Sequence, residues 1–276
     1  MRQTIRENRG TLAAPMLDIS EVRFFEVSMT RLDIDLSVII PAYNEAIRLP
    51  NTLTRLHEYL SGSALAYEII VALDGPNDAT RDVLNRLADK KIDALRIIDR
   101  QMNRGKGFTV KEGMLAARGR IRLFTDADNS TDIAHLDRMM PLFDQGCDVV
   151  IASRNEADAP GAVQVVSQAW YKRVIGRLGN RIVQIAAVPG IWDTQCGFKA
   201  FRAEAAERIF AQITLDRWGF DIEVLALAQR LNYRIGIIPA RWLNDDRSHV
   251  RMSDYLHVLG DTFAVRRNFL TGKYRL

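Results

Sequence analysis

From Leu36 onward, apolar and polar positions fall into a repeating alternation of short apolar runs and helically spaced segments. Leu36-Ser-Val-Ile-Ile40 is a β-branched run ended by Pro41, and Arg48 to Leu60 follows with apolar residues at helical spacing. This predicts a strand and then a helix. The pair recurs as Tyr67 to Leu73 before a helix from Ala79 to Ala88, then Ala94 to Ile98 before a helix through Lys106 to Ala117, then Ile121 to Phe124. Four mostly apolar strands separated by helices predict an α/β fold with a mostly parallel sheet covered on both faces. Cys147 to Ala152 adds a strand, and Gly197-Phe-Lys-Ala-Phe201 alternates in the manner of an extended return strand. Residues 1–35 are weakly periodic and lack the apolar core of a signal peptide, so they read as an N-terminal extension. No uncharged run approaches the ~20 apolar residues that span a bilayer. The expectation is a chain that does not cross a membrane by itself.

Composition narrows this only a little. At 276 residues, with 47% hydrophobic and 26% charged residues, the chain has the balance of a soluble globular protein. Cys147 and Cys196 are its only cysteines, which excludes a disulfide framework or a cysteine-based zinc site and points to a reducing, cytoplasmic compartment. The net charge of +4 suits anionic partners such as phosphates, nucleotides or an acidic membrane surface.

The candidate chemistry lies where the predicted strands end, which is where open parallel sheets bind ligands. The first strand runs into Pro41-Ala42-Tyr43-Asn44-Glu45, and the second into Asp74-Gly75-Pro76-Asn77-Asp78, whose bland reading is a helix-capping turn at Asp78. The fourth ends in Thr125-Asp126-Ala127-Asp128. Two carboxylates so close repel unless a cation sits between them, and a hard divalent ion bridging to a diphosphate meets that need. Between the third and fourth strands, Asn103-Arg104-Gly105-Lys106-Gly107 combines two glycines, which allow close backbone approach, with two cations for phosphate. It lacks the spacing of a P-loop.

With these motifs the chain resembles the family-2 glycosyltransferases of the GT-A fold, and within them the dolichyl-phosphate β-glucosyltransferase branch. The resemblance runs from Leu36 to the C-terminus. It rests on Val38-Ile-Ile-Pro-Ala-Tyr-Asn-Glu45, Asn103 to Gly107, Asp126-Ala-Asp128 and Ser153-Arg154, and further on Asp193-Thr-Gln-Cys-Gly-Phe-Lys199, Arg217-Trp-Gly-Phe-Asp-Ile-Glu223 and the ending Leu270 to Leu276. It implies an inverting transfer of glucose from UDP-glucose to a polyprenyl phosphate. Pro41, Tyr43, Glu45 and Asp74 would hold the nucleoside, Arg104 and Lys106 would approach the donor, and Asp126 and Asp128 would bind Mg²⁺ or Mn²⁺ with the diphosphate. Eukaryotic members carry an N-terminal membrane helix with no counterpart in residues 1–35, and their Gly-Ser-Lys after the last strand reads Arg247-Ser248-His249. GDP-mannose as donor, or a hydroxyl acceptor with a base near Asp193 or Asp221, stands as the alternative.

A lipid phosphate is already anionic and needs no base, only a cationic pocket, for which Arg154, Lys172 and Arg173 are the candidates. Trp170, Val174, Leu178 and Ile182 make an apolar stripe flanked by Arg173, Arg177 and Arg181. The last helix carries Tyr255, Leu259 and Phe263 on one side, with Arg266, Arg267, Lys273 and Arg275 following. Both suit the surface of an anionic membrane as well as packing on the sheet. The expected partners are therefore a nucleotide sugar, a polyprenyl phosphate and an anionic membrane surface, with no nucleic acid. Residues 36–276 are expected to form one transferase domain.

Overall fold

The computed structural model describes residues 34–88, 92, 94–164, 179–242 and 252–276. β1 (Leu36–Ala42) and β2 (Tyr67–Asp74) are buried along almost their whole length, as strands must be when helices cover both faces of a sheet. β1 pairs in parallel with β2 on one side and with β4 (Ile121–Thr125) on the other, and β2 pairs with β3 (Leu95–Arg100). Beyond β4 come β7 (Phe198–Arg202), β5 (Val149–Ser153) and β8 (Ile235–Pro239), giving the order β3-β2-β1-β4-β7-β5-β8. The return strand β7 is antiparallel to both neighbours, while the other pairs are parallel. Strand order reverses between β1 and β4, and this opens a crevice at their carboxyl ends.

Two apolar layers sandwich the sheet. On one face α1 (Leu49–Ser61), α2 (Thr80–Ala88) and α4 (Leu136–Asp144) bring Leu53, Leu84 and Met139 onto Val38, Leu123 and Phe198. On the other, α3 (Lys106–Ala116), α6 (Ala203–Phe210) and α7 (Phe220–Arg230) bring Val110, Ile209 and Phe220 onto Ile39, Phe124 and Phe201. The helix over residues 179–186 (α5) and the C-terminal helix α8 (Met252–Leu270) add Val183 and Val265 to that second layer. β6 (Val163–Gln164) and β9 (Arg241–Trp242) pair as a separate short ribbon.

The structure corrects the predicted elements at their ends and in one rule. β1 continues through Pro41, which the sequence reading made its terminator. The reason lies in the pairing: β4 accompanies β1 only as far as Ile39, so from there one edge of β1 is open and the amide that Pro41 lacks is not required on that side.

Candidate active site

β4 delivers its last residue, Thr125, to the crevice, and the chain then turns out of the sheet. The Asp126 N–H donates to the carbonyl of Gly197 at 3.2 Å, which ties the acid to the residue preceding β7. Lys106 Nζ lies 2.6 Å from Asp126 Oδ1. Asp128 folds back on its own loop, its Oδ1 accepting the Ser130 N–H at 2.9 Å across Asn129, whose φ is +53°. Its other oxygen stands 3.9 Å from Arg48 Nη1, and Arg48 in turn forks onto Glu45 at 2.6 and 2.5 Å. Both acids are partly exposed to the crevice.

Lys106 reaches Asp126 because the loop before it is pressed flat against another loop. Gly105 has φ +104°, and a Cβ there would fall 2.5 Å from the Asp216 carbonyl, while a Cβ at Gly107 would fall 2.5 Å from that of Leu215. Asp74 secures the near end of this loop. Its Oδ1 accepts from the Arg104 N–H and from Arg100 Nη1, both at 2.8 Å, and its Oδ2 accepts the Gly105 N–H at 2.9 Å. The Arg104 guanidinium lies over the Phe108 ring, 3.5 Å from its centroid, and Lys106 Nζ lies 5.3 Å from the Trp218 ring. Burial works against the Lys106 charge, but Asp126, Asp221 and Asp128 outweigh it and leave its pKa raised.

Behind these groups sit two further ion pairs. Lys199, fully buried on β7, donates to Asp221 Oδ1 at 2.5 Å and to the Cys196 carbonyl at 2.7 Å. Burial raises the Asp221 pKa, and Lys199 and Lys106 only partly offset it. Arg154 grips Asp193 through Nε and Nη2 at 2.8 Å each, and its backbone N–H donates to the same carboxylate at 2.8 Å. Burial would raise the Asp193 pKa, yet the Arg154 charge and hydrogen bonds overturn that and hold it below the usual carboxylate value. Asp158 braces this corner by accepting the Trp192 and Asp193 N–H groups and the Ser153 hydroxyl. Burial and the nearby Asp193 push the Cys196 thiol up to about 11, so it is an inert packing residue.

Asp74 with the Arg104 backbone, Lys106 with Asp126, and Glu45 with Arg48 and Asp128 thus form three groups at the carboxyl ends of β2, β4 and β1. Tyr43 is exposed beside them, just after Pro41 and Ala42 close β1. Arg154 is there too, with its charge matched by Asp193. Lys172, Arg173 and the Trp170 to Leu178 part of the apolar stripe lie outside the described residues, as does Arg247-Ser248-His249. The capping reading holds for Asp78, whose Oδ1 accepts the Thr80 N–H at 2.9 Å. Sequence reasoning missed Arg48, Asp216, Trp218 and the pairing of Lys199 with Asp221. A lysine at an inward position of an otherwise apolar strand was the available signal for that pair.

Comparisons with known proteins agree with this architecture. Residues 37–210 match the family model described as Glycosyl transferase family 2. The chain is 33% identical over 253 residues to the dolichyl-phosphate beta-glucosyltransferase of Dictyostelium discoideum, covering 88% of this chain and 77% of that protein. It is 34% identical over 256 residues to the protein of the same name from Homo sapiens, covering 87% and 78%. Among solved structures, glucosyl-3-phosphoglycerate synthase from Mycobacterium tuberculosis, in complex with Mn²⁺, UDP and phosphoglyceric acid, superposes with a TM-score of 0.61 at 18% identity, over 84% of this chain and 78% of that one. A parallel sheet with one reversed strand, acids leaving its central strand and a family match over most of the length converge on one assignment: the chain belongs to glycosyl transferase family 2 and is a glycosyltransferase of GT-A type.

Proposed function

We propose that the protein transfers glucose from UDP-glucose to a polyprenyl phosphate, the acceptor phosphate itself being the nucleophile. The observation that carries this reading is the charge state of the crevice. Its two inner acids, Asp193 and Asp221, are each locked to a cation within 2.8 Å, and both are buried. A base for a hydroxyl acceptor needs a free, reachable carboxylate. An acceptor that arrives already ionised needs none, and the relatives named for dolichyl phosphate support an acceptor of that kind.

The same accounting supports a divalent ion. Arg48, Lys106, Arg154 and Lys199 each already face one of Glu45, Asp126, Asp193 and Asp221, and Asp128 is a fifth carboxylate with Arg48 at 3.9 Å. A diphosphate entering here adds negative charge to a group that already counts five carboxylates against these four cations. Asp126 and Asp128 are hard oxygen donors open to the crevice, and among the described residues no three potential ligands gather into a cage. This donor set fits an ion that takes two carboxylates and completes its shell with phosphate oxygens and water. When bound, Mg²⁺ or Mn²⁺ supplies positive charge to the departing diphosphate. Lys106 adds a second positive charge at the same place, Tyr43 offers its ring to the nucleoside, and Arg154 presents its remaining N–H donors toward the acceptor phosphate.

No helix among the described residues is long and apolar enough to cross a membrane. A lipid acceptor then requires attachment to the membrane surface, for which α8 and the basic ending are the candidates. On this reading residues 36–276 make up the transferase domain. The deciding experiment incubates the protein with radiolabelled UDP-glucose, UDP-galactose, UDP-N-acetylglucosamine or GDP-mannose and undecaprenyl or dolichyl phosphate. Labelled lipid from UDP-glucose alone is expected. Labelled lipid from GDP-mannose, or no transfer to any polyprenyl phosphate, overturns the proposal.

A further inference from the structure

The C-terminal segment contacts the donor loops through a second chain of contacts, away from the crevice. Beyond α8 the chain turns at Gly272 and inserts Tyr274 into the core, where its ring packs 4.6 Å from that of Phe269. The Tyr274 hydroxyl donates to Glu223 Oε1 at 2.6 Å. Glu223 is a fully buried carboxylate with no cation beside it in the hydrogen-bond or ion-pair contacts of the described residues. It is satisfied instead by donors, the Thr214 N–H, the Thr214 hydroxyl and the Leu215 N–H at 2.8 to 2.9 Å. Asn268 of α8 joins the group through Thr214 Oγ1 and the Tyr274 hydroxyl. A second α8 residue, Asp261, abuts Gly219, where an added Cβ would fall 2.3 Å from its Oδ2 and 2.4 Å from its Cβ. Residues 214–219 are therefore pinned at both ends by the C-terminal segment.

The opposite side of that pinned loop carries the donor groups. The carbonyls of Leu215 and Asp216 lie against Gly107 and Gly105, the Phe108 N–H donates to the Asp216 carbonyl at 3.1 Å, and the loop holds Trp218 over Lys106. Lys106 then meets Asp126.

We propose that Tyr274 and Asp261 are positioning residues for donor binding: the C-terminal segment clamps loop 214–219, and that loop sets the height of the Asn103 to Gly107 loop and of Lys106 over Asp126. The inference rests on the proposed nucleotide-sugar reading for its functional consequence, though not for its structural one. A segment that also lies next to the acceptor's membrane would in this way link acceptor approach to donor affinity.

The test uses Tyr274→Phe in the full chain, because it removes only the hydroxyl and keeps the ring. Amide hydrogen exchange is expected to quicken at Thr214 and Leu215 and also at Arg104 to Phe108, with the amides of β1 and β2 unchanged. The UDP dissociation constant, measured with Mn²⁺ present, is expected to rise about tenfold, the size of a lost hydrogen bond to a charged acceptor. Leu60→Ala, a core truncation in α1 within the apolar layer on the other face of the sheet, serves as the control for plain destabilisation. Asp261→Ala should reproduce the Tyr274→Phe pattern, and Asp261→Asn, which keeps the side chain's bulk against Gly219, should restore it. Faster exchange confined to residues 214–215, or an equal loss of UDP affinity in Leu60→Ala, overturns the clamp. Absence of UDP binding in the parent would instead overturn the functional reading, and the exchange pattern would still decide the clamp.

Discussion

A Cβ on Gly197 would stand 2.0 Å from Oδ2 of Asp126 and 2.4 Å from its Cγ, so residue 197 has room for hydrogen only while the acid keeps its place. Gly197→Ala should therefore displace the Asp126 carboxylate and leave β7, which begins one residue later, intact. Turnover is expected to fall by about 10² or more, the usual scale for losing one preorganised charged group at a reacting centre. The overpacking cost of about 1–3 kcal/mol should appear as a modest drop in melting temperature. Activity close to the parent's would show that Asp126 is not held where the chemistry needs it.

Lys106 and a divalent ion compete for Asp126, since Lys106 Nζ already sits 2.6 Å from Oδ1. Lys106→Met should raise the affinity for Mn²⁺ in the absence of nucleotide while lowering glucosyl transfer by at least about tenfold. Asp126→Asn should lose both Mn²⁺ binding and metal-dependent UDP binding, with its circular dichroism spectrum unchanged. Calorimetric titration with Mn²⁺ distinguishes the two variants. Full transfer in EDTA by the parent would exclude any need for the ion.

Arg154 holds Asp193 ionised against the cost of burial, and this sets the sign of a pH effect. A carboxylate with a depressed folded pKa contributes stability that is complete above its unfolded value, near 3.8, and is lost as pH falls through the lower folded value. Arg154→Met leaves the burial cost unopposed, so the Asp193 pKa should move above 3.8. The variant should then lose stability at neutral pH, by about 3–5 kcal/mol for a buried charge deprived of its partner. It should also change less than the parent on acidification below pH 4. Urea unfolding at pH 7, at pH 4 and at a lower pH measures both, and a parental stability at pH 7 would contradict the pairing.

The first half of the fold was legible because its strands are apolar runs separated by amphipathic helices, and the strand-end acids followed from that layout. The second half was less so. In α7 nine of eleven side chains are buried, so it shows no apolar stripe, and α4 carries Pro141 inside it. Asp126, Asp128 and Lys106 stood out in the sequence as candidates, and the structure brings Lys106 onto Asp126. What the sequence alone could not convey is which charges meet, because Arg48 with Asp128, Arg154 with Asp193 and Lys199 with Asp221 come together through the tertiary fold rather than through spacing. Tyr274 was visible only as part of a resemblance at the C-terminus, and its hydroxyl gains meaning from Glu223, 51 residues earlier.

The proposed lipid acceptor would require attachment to a membrane, and the described residues include a candidate surface for it. α8 and α5 lie side by side, with Arg266 Nη1 donating to the Ala186 carbonyl and Leu259 packed near Gly179. This pair of helices leaves Ile185 and Phe263 largely exposed, and Leu270 and Leu276 are exposed beyond them. Arg266, Arg267, Lys273 and Arg275 occupy the same end of the chain. Each cation near an anionic surface contributes about 1 kcal/mol, so four of them with one or two inserted apolar side chains give reversible attachment that weakens with salt. The protein should therefore co-sediment with vesicles containing phosphatidylglycerol at low salt and be released as salt rises past the range where surface charges are screened. Arg267→Glu with Lys273→Glu should reduce that co-sedimentation by well over tenfold, since four units of charge change. The same variant should slow transfer to a polyprenyl phosphate in vesicles while leaving UDP binding in solution as it was, because both residues are exposed and neither anchors loop 214–219. If the double variant binds vesicles like the parent, this end of the molecule is not the membrane-facing one, and the acceptor must approach from another side.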